Sequence, residues 1–193
     1  EDVLNKFQDC FNVHPAILPQ YPGINPISGM IFNREKKIGV TIHKMTAKVD
    51  AGGIIQVFRT SISLKDNLLS CTKKIESLTI KILINFLNKL SKGKKIKILS
   101  NNIKKKKLFP KKIPNNGLLN FSWNFDEFLK YFNAGFSGPY SSEWGKLYFN
   151  YHKKKKIICN FKILKKINEK KILQIDKKNY SLKLKNKTII VST

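Results

Sequence analysis

The run Phe11-Asn12-Val13-His14-Pro15-Ala16-Ile17-Leu18-Pro19-Gln20-Tyr21-Pro22-Gly23 decides how the rest of the chain is read. If Phe11 to His14 is a short strand, side chains two apart point to one face, and the carboxamide of Asn12 projects beside the imidazole of His14. Prolines then stiffen a loop from Pro15 to Pro26. Asp50, in Val49-Asp50-Ala51-Gly52-Gly53, is remote in sequence, but one strand and one turn can return it against His14. An amide donor, an imidazole and a carboxylate suit acyl transfer to an amine. The first holds an oxyanion, the second moves protons, and the third tunes the mover. Taken singly each has a plainer reading, Asn12 as a turn cap and His14 as a satisfied loop histidine.

Working outward, Glu1 to Phe7 reads as the end of a helix and Ile27 to Phe32 as a short helix ending near Asn33. Gly39 to Met45 and Ile54 to Ile62, rich in β-branched residues, predict strands, with Asp50 on the loop between them. His43 on such a strand reads as packed or surface-exposed rather than catalytic. Ile75, Leu78, Ile82, Phe86 and Leu90 recur at steps of three or four before Gly93, as an amphipathic helix with a glycine C-cap does. From residue 94 to 117 the character changes. Lys104 to Lys107, Lys111 and Lys112 lie among Pro110, Pro114 and Gly117, a connector whose lysines are either solvated or phosphate-binding.

Asn124 and Glu127 then form a capping-box pair for a helix whose apolar face is Phe125, Phe128, Leu129 and Phe132. Beyond Pro139 the expected strands are Lys146 to Tyr151, Ile157 to Ile163, Ile172 to Ile175, Tyr180 to Leu184 and Thr188 to Val191, a small β appendage. His152, beside Lys153 to Lys156, reads as exposed. The resulting organisation is residues 1–100, a basic linker over 101–117, and 118–193 as helix plus small β subdomain.

Composition sets the outer bounds. A chain of 193 residues supports one domain with a real core and a small appendage. Its net charge of +26 invites an acidic partner such as RNA or a nucleotide-linked substrate. Yet of 38 basic residues only Arg34 and Arg59 are arginine, and Ile and Asn abound beside the lysines, a pattern that drift towards A- and T-rich codons also produces. Cys10, Cys71 and Cys159 are too far apart for a C-x-x-C metal pair and read as reduced thiols. No apolar run reaches the roughly 18 residues of a membrane span, and Glu1 to Cys10 lacks a signal-peptide pattern. The expected setting is cytoplasmic, or organellar if a targeting segment precedes Glu1.

The run from Phe11 to Gly23 resembles the N-x-H-P-S-L-L-P-x-Y-x-G signature of formyltransferases that use 10-formyltetrahydrofolate. Gly39-Val40-Thr41-Ile42-His43-Lys44-Met45 and Asp50-Ala51-Gly52-Gly53-Ile54-Ile55-Gln56 are similar to that family's G-V-T-I-x-x-M and D-x-G-x-I-x-x-Q, in its order and spacing. Phe136-Ser137-Gly138-Pro139-Tyr140, after Trp123, resembles the tail of its methionyl-tRNA and nucleotide-sugar branches. Ala16 stands where the family has Ser, and Ile17 where it has Leu.

The resemblance implies an α/β fold, the C-terminal part of a Rossmann-like formyltransferase domain. It implies Asn12, His14 and Asp50 as catalytic groups, and folate contact by Ala16, Ile17, Leu18 and Pro19 and by Thr46, Ala47, Lys48 and Val49, largely through backbone groups. Formyl transfer of this kind uses 10-formyltetrahydrofolate as donor and no metal. His14 is expected near its free pKa of about 6.5, with Asp50 favouring the imidazolium. The expected acceptor is the amine of a nucleotide-linked amino sugar, because only about fifty residues follow Tyr140; initiator methionyl-tRNA is the alternative. Family members carry a further half-domain before the N-x-H motif. Its absence from this sequence predicts a fragment, a second chain completing the sheet, or an inactive remnant. A non-catalytic basic RNA-binding module is the reading from another class.

Overall fold

The computed structural model describes residues 2–7, 9–107, 109–164 and 171–193, and the chain divides into two compact units, Glu1–Phe109 and Pro110–Thr193. The boundary falls inside the lysine- and proline-rich stretch.

In the first unit, helix α1 (Asp2–Lys6) precedes strand β1 (Phe11–His14), helix α2 (Pro26–Phe32), strands β2 (Lys37–Lys44) and β3 (Ile54–Ser61), and helix α3 (Leu68–Ser91). The strands form an antiparallel sheet in the order β1-β2-β3. Ile38, Val40 and Ile42 on β2 are fully buried, as the β-branched content of a central strand requires. Helix α3 packs on β2 and β3 and buries Cys71, Ile75, Ile82 and Phe86, while Leu90 stays exposed. The ring of Phe86 meets Phe11 of β1 edge to face at 5.1 Å.

Helix α3 begins well ahead of Ile75, the first residue of its apolar spacing. Asn67 accepts from the Ser70 N–H at 3.0 Å, and the Ser70 hydroxyl accepts from the Asn67 N–H at 3.1 Å. This reciprocal cap uses serine where the sequence signature has Glu or Gln. At the other end Lys92 is the cap and Gly93 follows with φ +63°.

In the second unit, helix α4 (Phe125–Gly135) starts on the expected capping box, Asn124 and Glu127 exchanging side-chain-to-backbone bonds of 2.9 and 3.2 Å. Strands β4 (Tyr148–Tyr151) and β5 (Lys154–Ile157) form a hairpin. Strands β6 (Asn160–Ile163), β7 (Ile172–Gln174), β8 (Asn179–Lys183) and β9 (Thr188–Ser192) form a sheet ordered β6-β9-β8-β7. The expected strand Ile157 to Ile163 is thus two strands with a break at Ile158 and Cys159. The lysine run 154–156 is itself part of a strand, and two of its ammonium groups lie over aromatic rings: Lys155 is 4.0 Å from the Tyr148 centroid and Lys156 5.5 Å from that of Tyr180. Trp144, Tyr180, Phe128 and Phe149 anchor the core, and the Trp144 Nε1–H donates to the Pro110 carbonyl at 2.9 Å.

Candidate active site

The β1–β2 register sets Asn12 opposite His43 and His14 opposite Thr41. Residues directly opposite in an antiparallel pair share a face, so four polar side chains converge on one side of the sheet. Three are buried: Thr41, His43 and His14 expose 0%, 2% and 4% of their surface. Thr41 braces the loop after β1. Its hydroxyl donates to the Ala16 carbonyl at 2.6 Å and accepts from the Leu18 N–H at 3.1 Å.

Asp50 reaches this face from the loop between β2 and β3, with its backbone in the left-handed region at φ +50°. Oδ2 lies 3.4 Å from His14 Nδ1 and accepts the Gly23 N–H at 2.7 Å. Oδ1 lies 3.4 Å from His43 Nε2. The carboxylate therefore spans two imidazoles. Asn12 closes the cluster, its Nδ2 standing 3.2 Å from His43 Nε2.

Two residues fix the Asp50 loop. The Asn101 carboxamide donates both hydrogens, to the Asp50 carbonyl at 2.8 Å and the Gly52 carbonyl at 2.9 Å. Gly52 passes so close to β2 that a Cβ there would sit 1.7 Å from the Lys44 carbonyl oxygen, leaving room for hydrogen alone.

Hydrogen-bond chemistry assigns the tautomers. A carbonyl only accepts, so His14 Nε2, 2.6 Å from the Tyr21 carbonyl, carries a hydrogen, as does His43 Nδ1, 2.9 Å from the Lys44 carbonyl. The nitrogens that can gain or lose a proton are the inner pair facing Asp50. Burial lowers the His14 pKa, outweighing the Tyr21 carbonyl and Asp50, which raise it; His43 lowers it further. Desolvation thus wins over the carboxylate, where the sequence reading expects a value near the free one.

Around Tyr21 a second cluster supports the loop. Its phenol donates to Glu35 Oε1 at 2.5 Å and accepts from Asn33 Nδ2 at 3.1 Å, and Lys107 pairs with the same carboxylate. Burial and Glu35 push the phenol well above its usual pKa.

The structure brings Asn12, His14 and Asp50 together. Ala16 and Leu18 turn their side chains inward, at 0% and 3% exposure, while Ile17 and Pro19 are half-buried. Thr46, Ala47, Lys48 and Val49 form an exposed loop beside Asp50, Val49 at 72%. Sequence reading takes His43 as packed or surface-exposed, and it is packed, but against Asn12 and Asp50; Asn101 it passes over. The signal for His43 is strand alternation: it lies two residues from Thr41, on the face that pairing with β1 turns towards Asn12. Asn101, within a lysine-rich stretch, carries no comparable signal. Among the described residues no group of three or more His, Cys, Asp or Glu is arranged to hold a metal ion.

Residues 1–87 match the formyl transferase family model. That first stretch is similar to formyl transferases. Over 84 residues, 44% of this chain, the sequence is 43% identical to methionyl-tRNA formyltransferase of Kosmotoga olearia, and the chain spans 27% of that protein's length. Two solved structures share the fold across nearly the whole chain. HypX from Aquifex aeolicus superposes on 99% of it, covering 34% of the HypX chain, at a TM-score of 0.79 and 14% identity. An N-formyltransferase from Helicobacter canadensis, crystallised with folinic acid and dTDP-3-aminofucose, superposes on 94%, covering 65% of that chain, at 0.68 and 20% identity. No helix among the described residues is long and apolar enough to cross a membrane.

Proposed function

We propose that this chain transfers a formyl group from 10-formyltetrahydrofolate to a primary amine, with Asn12, His14 and Asp50 as the catalytic groups. The observation that carries this reading is the convergence of those three side chains around a buried His14, inside the stretch that matches formyl transferases. The acceptor nitrogen attacks the formyl carbon on N10 of the folate, a C–N bond forms, and charge develops on the formyl oxygen. The Asn12 amide donates to that oxygen. His14, backed by Asp50, takes the proton that the attacking amine loses and returns it to N10 as the second C–N bond breaks. Because the side chains of Ala16 and Leu18 are buried, folate contact from Ala16 to Pro19 runs through backbone groups, and Thr46 to Val49 supply the facing loop.

The acceptor in this proposal is the amine of a nucleotide-linked amino sugar. Support comes from the sugar N-formyltransferase likeness, which extends through both compact units. Methionyl-tRNA is the second reading, favoured by the 43% identity over 84 residues and by the lysine content.

Calorimetric titration with 5-formyltetrahydrofolate tests the donor site, and repeating it with dTDP-linked amino sugars and with methionyl-tRNA at several salt concentrations tests the acceptor. Saturable folate heat with shallow salt dependence of the sugar nucleotide is the expected result. A steep slope for tRNA, as several phosphate contacts produce, selects the second acceptor; no folate heat contradicts the proposal.

A further inference from the structure

His43 is held as closely as any member of the proposed triad. It is buried, its outer nitrogen is fixed by the Lys44 carbonyl at 2.9 Å, and its inner nitrogen stands 3.4 Å from Asp50 Oδ1 and 3.2 Å from the Asn12 amide. The two imidazoles are 6.5 Å apart between ring centres and inclined at 79°, so each presents an edge to its own oxygen of one carboxylate.

We infer that His43 is a positioning residue that divides the Asp50 carboxylate with His14 and sets the orientation of the Asn12 carboxamide. The inference rests on the formyl-transfer reading for its purpose but on geometry for its existence. With both inner nitrogens bare, the carboxylate faces two lone pairs, and the Asn12 N–H donates to His43. One added proton between Asp50 and either imidazole turns a lone-pair contact into a charge-assisted hydrogen bond. One proton cannot serve both oxygens this way. With it between Asp50 and His14, His43 Nε2 keeps its lone pair and accepts one hydrogen of the Asn12 carboxamide, which fixes the amide plane and leaves the second hydrogen for the formyl oxygen. The charged and polar groups on the pair's face are Asp50 from its loop, Asn12 from β1 and Thr41 from β2, whose hydroxyl is engaged by the Ala16 carbonyl; Lys44, next along β2, pairs its ammonium with Asp9 at 2.8 Å.

The test is imidazole nitrogen NMR of the full chain, wild type and His43→Gln, over a pH titration. Glutamine reaches the Nε2 position without taking up a proton. The titration midpoint of His14 is expected to rise in the variant, since Asp50 is no longer divided and a neighbouring imidazole is gone. An unmoved His14 midpoint overturns the inference. Should His43→Gln not fold, Asp50→Asn gives the same decision: the Nε2 resonance of His43 moves together with Nδ1 of His14, whereas a His43 resonance unchanged from wild type overturns it. These readouts need no turnover, so they stand apart from the failure of the formyl-transfer reading. In turnover, His43→Gln is expected to lower kcat, by up to about 10²-fold for a misplaced amide, with KM for the folate unchanged and with more activity kept than in His43→Asn, which restores only the bond to the Lys44 carbonyl.

Discussion

His14 shows how one residue's surroundings set its chemistry. Both ring nitrogens face acceptors, the Tyr21 carbonyl and the Asp50 carboxylate, yet burial lowers its pKa. The folded protein therefore binds this proton less tightly than the unfolded chain, whose histidine titrates near 6.5. Stability from this group is complete above pH of about 6.5 and is lost as pH falls from there through the lower folded value. His14→Gln, followed by denaturant unfolding at a series of pH values, is expected to flatten the fall in stability below pH of about 6.5 relative to wild type. Asn12→Ala addresses the other half of the site. Loss of an oxyanion donor costs about 10²- to 10³-fold in kcat, and steady-state kinetics on the formyl acceptor is expected to show it with little change in KM. Asn12 and His14 were legible because a short strand ahead of a proline-rich loop turns residues i and i+2 to one face. His43 was not legible as a site residue, because its partner Asn12 is 31 positions away and only the β1–β2 register joins them.

At the scale of elements, loops and caps carry more of the site than the helices do. Gly52→Ala forces a methyl group into the Lys44 carbonyl and is expected to destabilise the first unit by roughly 1–3 kcal/mol, the usual range for overpacking, read as a shift in denaturant midpoint. Asn67→Ala removes the α3 cap and is expected to cost about 1 kcal/mol by the same measurement, with the Asp50 cluster unaffected. The strand pair β2–β3, helix α3 over its apolar stripe and the α4 capping box could be read from periodicity and cap chemistry. The early start of α3 could not, since Ser70 completes the box in place of Glu or Gln. The break between β5 and β6 was hidden for another reason: lysines 154–156 look like a solvated run until the rings of Tyr148 and Tyr180 are found beneath Lys155 and Lys156.

For the whole molecule, charge is the dominant property. A net charge of +26 on 193 residues repels itself in the folded state at low ionic strength. Raising salt to about 0.15 M, where screening acts within about 8 Å, is expected to raise the thermal midpoint, and scanning calorimetry across a salt series checks this. The α/β character and the formyl transferase likeness of the first unit were readable because contiguous motifs carry them. The division at Phe109 and Pro110 was only bracketed, since a lysine-rich segment looks alike on either side of a boundary.

The measurement closest to the central claim is transfer of isotopically labelled formyl from 10-formyltetrahydrofolate to an amine, followed by mass spectrometry of the acceptor, for wild type and His14→Gln. The account predicts label on a nucleotide-linked amino sugar or on methionyl-tRNA with wild type, and a loss of about 10²-fold or more in the variant, the usual worth of a positioned proton-transfer group. Label that appears equally with His14→Gln, or on no acceptor at stoichiometric protein, would contradict it.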